Sequence, residues 1–270
     1  MTSQFRLAMA YIAVLAAFAG CAGGLPGSFD NLPASDADSG AIIGDVASAR
    51  DRARAHTDLA AAYYGQGRMG VALEEVRLAL TAEPNYAPAY NVLGLVHMDL
   101  RENAQAQQAF ERSLQINPND ADTNHNYGWF LCQTQREEQS IRYFLLAVRN
   151  PLYAAPQKSY ALAATCALRK NNERDALEYL DRALRLDPNY LPALISMAQL
   201  KYRRGDLDDA RIAVERFNKL VEPTAESLWL ALRIERKLGH RSAEAGYATQ
   251  LRRRFAGSRE YQELQKGRFE

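Results

Sequence analysis

Apolar and polar positions divide the 270-residue chain into stretches of different character. From Leu7 to Phe18 nearly every side chain is apolar, and Arg6 is the only charge among the first twenty residues. A bilayer-spanning helix needs ~20 such residues, so this run of about a dozen fits the core of a signal peptide instead. Residues 1–20 are therefore read as an export leader. Residues 22–50 keep neither a helical nor a strand period and hold Gly23, Gly24, Pro26, Gly27, Pro33, Ser35, Asp36, Asp38, Ser39 and Gly40. That composition predicts a flexible tether, here bounded at 21–50. From residue 51 to residue 257 apolar positions recur in helical runs separated by short polar breaks, which predicts an all-α body. Residues 258–270 are left as a C-terminal tail.

The runs repeat. Glu83-Pro84-Asn85-Tyr86, Asn117-Pro118-Asn119-Asp120 and Asp187-Pro188-Asn189-Tyr190 close similar segments. The first two prolines are 34 residues apart (118 − 84), and the next interval is 70 (188 − 118), two such periods plus two residues. A period of 34 with a closing proline is the tetratricopeptide (TPR) signature. Units then begin at residues 53, 87, 121, 157, 191 and, in degenerate form, about 225. Each should be a pair of antiparallel helices. Small residues such as Ala72, Gly94, Ala106, Gly128, Ala176 and Ala210 let the two helices approach, and Gly67 and Gly205 end first helices. No unit buries its apolar face alone, so about six helix-turn-helix repeats should stack into a right-handed superhelix.

Within this frame little chemistry remains. Gly65-Gln66-Gly67-Arg68-Met69-Gly70 fits G-x-G-x-x-G, but it joins two helices with no preceding strand, so it reads as a turn and not a phosphate cradle. His56 and His97 occupy positions normally filled by core side chains and are read as packing residues. His125 is a contact candidate. No nucleophile, metal or carboxylate constellation stands apart from the repeat, so neither catalysis nor a cofactor is expected. A formal net charge of +1 gives no basic stripe for nucleic acid, and Arg252-Arg253-Arg254 reads as a solvated helix face.

First helices line the concave side of such an array, with repeat positions 2, 5, 9, 12 and 13 facing inward. Repeats one to three then offer Tyr64, Asn91, Leu95, Met98, His125 and Trp129 as a partner-binding groove: an apolar run with polar groups able to hold a peptide backbone. The competing reading makes some of them inter-repeat core. The lysine and asparagine clamp that grips a C-terminal carboxylate is missing. Cys132 and Cys166 lie late in the first helices of adjacent repeats. Side-by-side packing in an oxidising compartment allows a bridge, and two separate buried thiols are the alternative.

The end of the leader resembles a bacterial lipobox. Ala19-Gly20 precede Cys21, with Phe18 where leucine is usual. The resemblance implies cleavage before Cys21 and its lipidation, and Ala22 in the next place implies export to the outer membrane. An ordinary signal peptide with an incidental cysteine is the alternative. The block Asn126-Tyr127-Gly128-Trp129-Phe130-Leu131-Cys132 goes beyond the general TPR pattern. So do Asn150-Pro151-Leu152-Tyr153, Cys166 and Gly257-Ser258-Arg259-Glu260-Tyr261-Gln262-Glu263. With the six-unit layout they resemble the type IV pilus biogenesis lipoproteins, the PilF/PilW pilotins, over essentially the whole chain. That resemblance implies an outer-membrane lipoprotein that binds the pilus secretin and promotes its localisation and multimerisation; the chain itself is expected to be a monomer. In the family the early repeats are implicated in secretin binding, and some members carry a disulfide between repeats three and four, which the paired cysteines match. Another envelope TPR scaffold, serving cell-wall hydrolases or outer-membrane protein assembly, is the rival reading.

Overall fold

A computed structural model describes residues 48–269. The leader, Cys21 and nearly all of the tether lie outside the described residues. Those described form thirteen helices and no strand. Repeat one is α1 (Ala49–Gly65) and α2 (Met69–Ala82), and repeat two is α3 (Ala87–Asp99) and α4 (Asn103–Ile116). Repeat three is α5 (Ala121–Gln133) and α6 (Glu137–Ala147), and repeat four is α7 (Pro156–Arg169) and α8 (Glu173–Leu186). Repeat five is α9 (Leu191–Arg204) and α10 (Leu207–Leu220), and repeat six is α11 (Ala225–Leu238) and α12 (Arg241–Arg254). A short α13 (Arg259–Gln265) follows, within the stretch read from sequence as a plain tail.

The helix ends obey local chemistry. Ser48, Asp120, Asn172 and Ser258 each accept a hydrogen bond from a backbone N–H of the first turn, satisfying a donor that the helix leaves orphaned. Thr224 and Ser227 form a reciprocal capping box at the start of α11. Proline occupies the first turn of α3, α7 and α9, where its missing N–H costs nothing. Helix α1 starts at Ala49, four residues before the start that the period suggested, because Ser48 caps it there.

Packing inside each repeat follows a size rule. The small position on the first helix is Ala60, Gly94, Gly128, Ala164 and Ala198 in repeats one to five, all buried. Its partner on the second helix is Val76, Phe110, Phe144, Leu180 and Val214, each at most 1% exposed. Glycine appears where the partner is phenylalanine. A Cβ on Gly94 would come within 2.6 Å of the Phe110 ring, and one on Gly128 within 3.0 Å of Phe144. Alanine serves where the partner is aliphatic. Repeat six exchanges the sizes: Leu232 stands at the small position and Ala248 opposite it. Its outer side is covered rather than left polar. Tyr261 and Leu264 of α13, with Phe269, pack against the cluster of Leu228, Trp229, Leu232 and Leu251. Phe269 lies over Trp229 at 5.6 Å, and the Arg236 guanidinium sits 3.8 Å from the centre of its ring.

The repeat three to four junction is irregular. The two extra residues fall in the loop between α6 and α7, and α6 leans more extensively on α7 than any other second helix does on its successor. The loop is nevertheless pinned. Asn150 Nδ2 donates to the Asn119 carbonyl at 3.2 Å, and the Asn150 side chain accepts from Leu152 N–H at 3.0 Å.

Candidate protein-binding face

The inner face is held together by side chains one period apart. The Tyr64 hydroxyl of α1 donates to Asp99 Oδ2 of α3 at 2.9 Å. Asn126 Nδ2 of α5 donates to Asn91 Oδ1 of α3 at 3.0 Å. His125 Nδ1 of α5 lies 2.7 Å from Ser159 Oγ of α7. Ser159 in turn donates to the Tyr153 hydroxyl at 3.2 Å, so His125 is the donor to Ser159. Arg169 of α7 donates to the Cys132 carbonyl at 2.7 Å. Cys132 and Cys166 are bonded as a disulfide between α5 and α7, with Cα atoms 5.9 Å apart and a sequence separation of 34. The same spacing that organises the sequence thus becomes a physical register between neighbouring first helices.

These contacts settle where the six groove candidates sit. Leu95 and Trp129 are half-buried against the cluster of Phe110, Tyr127 and Phe130, keeping part of their surface open. Tyr64 is half-buried, and burial, followed by its bond to Asp99, pushes its hydroxyl up to about 12. Asn91 is half-buried and already engaged by Asn126. Met98 is drawn into the core at 9% exposure, so it supports the face instead of forming part of it. The reason is its neighbour, since Phe130 of the next repeat packs over the same turn. His125 is an inter-repeat link and not a free contact. Its ring meets Phe144 edge-on at 5.6 Å and Tyr153 at 6.1 Å. Burial, then the nearby Lys158, lowers its pKa to about 4, so it is neutral near pH 7. Thr57, also assigned inward, is buried and bonded to the Ala53 carbonyl at 2.7 Å.

Two other assignments change. His56 and His97 are not plain packing residues. His56 Nδ1 lies 2.7 Å from Glu75 Oε2 and His97 Nδ1 lies 2.6 Å from Glu102 Oε2; a carboxylate only accepts, so each ring donates. His240 makes the same kind of bond to the buried Glu235 at 2.7 Å. The G-x-G-x-x-G stretch is the α1–α2 turn, with Gly67 at φ 74°. The lateral pairs Tyr64–Asp99 and Asn91–Asn126 were missed by helix spacing. Complementary polar residues 35 apart were the signal that would have found them.

Comparison with known proteins agrees with this architecture. Tetratricopeptide repeat profiles match residues 87–120, 109–142 and 167–221. The type IV pilus assembly protein PilF of Pseudomonas aeruginosa is 30% identical over 217 residues, which cover 80% of this chain and 86% of that protein. A solved structure of Pseudomonas aeruginosa PilF superposes with a TM-score of 0.73 at 30% identity, covering 81% of this chain and 99% of that one. The crystal structure of PilW, described as a widely conserved type IV pilus biogenesis factor, superposes with a TM-score of 0.70 at 31% identity, covering 79% of this chain and 98% of that one. The chain belongs to the family of type IV pilus biogenesis TPR proteins that includes PilF and PilW.

Proposed function

We propose that the protein is a pilotin: a lipoprotein anchored through Cys21 in the outer membrane, whose TPR body binds the pilus secretin and promotes its localisation and multimerisation. The observation that carries this reading is the similarity to PilF and PilW over four-fifths of the chain. The inner face supports it. Leu95 and Trp129, with Tyr64 beside them, supply apolar and aromatic anchors of the kind that dominate binding energy. The lateral bonds fix their backbone before any partner arrives, so little ordering entropy is lost on binding. Binding, with no catalytic step, is the whole activity proposed.

The test is the secretin multimer in cells lacking the protein, read by immunoblot of unheated membrane fractions. The multimer should vanish or remain in the inner membrane. It should return with the wild-type gene and poorly with Cys21→Ala or Trp129→Ala, which separate anchor from face. Because Trp129 also packs on the core, circular dichroism of Trp129→Ala must match wild type for its result to count. A multimer unchanged in amount and place would reject the pilotin reading and leave an envelope scaffold with another client.

A further inference from the structure

The outer face of repeat three differs from that of every other repeat. Numbered from each repeat start, Leu145 occupies a position held elsewhere by Arg77, Glu111, Asp181, Glu215 and Thr249. Only repeat three places a large apolar side chain there. The next repeat shows what these surface positions ordinarily do. Glu178 pairs with Arg182 at 2.6 Å and Asp181 pairs with Arg185 at 2.6 Å, so the second helix of repeat four neutralises its own charges one turn apart. The four corresponding residues of α6 are Arg142, Leu145, Leu146 and Arg149. Both acids of that pattern have gone, each central position is now leucine, and the two arginines are exposed, their guanidiniums without an ion-pair or hydrogen-bond partner among the described residues.

These residues line a trough. A hollow of about 390 Å³ runs along α6 from Glu138 past Ile141 to Arg149. It adjoins one of about 640 Å³, with Glu138 and Arg142 lining both, that reaches Lys170 at the end of α7. Glu138 is engaged by Lys170 at 3.2 Å, so it does not satisfy the arginines. The span from residue 138 to residue 149 is about 17 Å, or three helical turns. Three residues past Arg149, Leu152 is 90% exposed on the loop that Asn150 pins in place. An apolar strip between two unpaired guanidiniums, with a leucine held out beyond its end, is complementary to one kind of object: a short amphipathic helix with apolar residues along one side and carboxylates flanking them.

We propose that the α6 trough is a second docking site, on the opposite side of the repeat from the inner face, for an acidic amphipathic helix of a partner protein. The site is independent of the secretin reading. It would let the protein hold one partner within its concave side and another on its back.

The experiment uses the full-length chain and a fluorescein-labelled helical peptide with a leucine stripe flanked by glutamates, read by fluorescence anisotropy. A second peptide carries lysine in place of each glutamate. The glutamate peptide should bind and the lysine peptide should not. The double variant Arg142→Glu/Arg149→Glu should weaken the glutamate peptide by about tenfold or more and gain affinity for the lysine peptide. Arg142→Lys/Arg149→Lys should largely retain binding, Leu145→Asp should abolish it, and Arg182→Glu on repeat four should leave it unchanged. The three arginines are exposed and Leu145 is half-buried at the surface, so the fold should tolerate all four positions changing, and circular dichroism checks this. Equal binding of the two peptides, no binding, or insensitivity to the charge reversal would overturn the proposal. So would a dimer in sedimentation velocity that Leu145→Asp dissolves, which would make the face a self-interface. Charge-dependent binding to anionic vesicles in preference to the peptide would also reject it, in favour of a lipid surface.

Discussion

At the fifteenth position of each repeat the chain turns from first helix to second through a left-handed residue. In repeats one, five and six that residue is glycine, with φ of 74°, 82° and 80° at Gly67, Gly205 and Gly239. In repeats two, three and four it is Arg101, Gln135 and Asn171, with φ of 64°, 60° and 57°. One geometry is met by two kinds of residue, so the chain contains its own controls. A side chain in this region costs roughly 1–2 kcal/mol from the clash of Cβ with the following carbonyl. Asparagine bears less of that penalty, because its short amide visits the region readily. Replacement by glycine also frees the unfolded chain, which costs about 0.5–1 kcal/mol. Arg101 and Gln135 are exposed and make no side-chain hydrogen bond among the described residues, so nothing else is lost. The balance predicts that Arg101→Gly and Gln135→Gly each stabilise by about 0.5–1 kcal/mol, while Asn171→Gly is close to neutral. For a body of this size the gain corresponds to ~1–4 °C in Tm. Gly205→Ala runs the other way. No atom lies within 4 Å of an added Cβ there, so its loss, about 1 kcal/mol, is purely conformational. Urea denaturation followed by circular dichroism reads all four, comparing midpoints at constant slope. If Gln135→Gly destabilises, or Asn171→Gly gains as much as Gln135→Gly, the strain argument is wrong.

Three further outcomes follow from the packing. Removing the disulfide with Cys132→Ser/Cys166→Ser frees a 34-residue loop in the unfolded chain and should cost about 3–4 kcal/mol by urea titration; an unchanged midpoint would mean that the bridge constrains nothing. Gly94→Ala should destabilise by roughly 1–3 kcal/mol because its Cβ would sit 2.6 Å from the Phe110 ring, whereas Gly246→Ala, on α12 with open space around it, should stabilise by up to about 1 kcal/mol. His125 has its pKa lowered from 6.5 to about 4, so between those values the unfolded chain binds more protons than the folded one. Stability should therefore be complete above pH 6.5 and fall as pH drops towards 4, by an amount of order 2 kcal/mol, and His125→Asn should flatten that part of the pH titration.

The parts of the structure that were legible were those repeated in the sequence. A period of 34, small residues facing large ones and prolines at the boundaries fix six helix pairs, because each rule is stated several times over. The openness of the inner face was not legible. Helix spacing assigns Met98, Thr57 and Leu95 to one side equally, and only the neighbouring repeat decides that Met98 and Thr57 are covered while Leu95 stays partly open. His56 and His97 were misread for a related reason. Their partners Glu75 and Glu102 lie outside the helix on which each histidine sits, so the bond is invisible to a face-by-face reading. The left-handed turns at Arg101, Gln135 and Asn171 carry no glycine, and the period alone would have located them. Phe269 against Trp229 had no signal, since it occurs once and falls outside the repeat.

The lateral bonds on the inner face are not evenly distributed. They join first helices from repeat one through repeat four, ending with a covalent link at Cys132–Cys166. Between α9 and α11 the link is softer, with Arg233 and Lys237 lying over the Tyr202 ring. Between α7 and α9 no side-chain hydrogen bond or ion pair is found among the described residues; repeat five is tied to repeat four instead through α8 and the loop after it, by Arg203 to Glu173 at 3.6 Å and Arg216 to Asn189 at 2.9 Å. Viewed as a spring, the array is a stiff rod joined to a compliant coil at the boundary of repeats four and five. A pull applied along its axis would be carried almost without strain through the first four repeats. Extension would begin at the joint whose first helices are least tied to each other, so the two ends of one continuous stack would report the same load at different lengths.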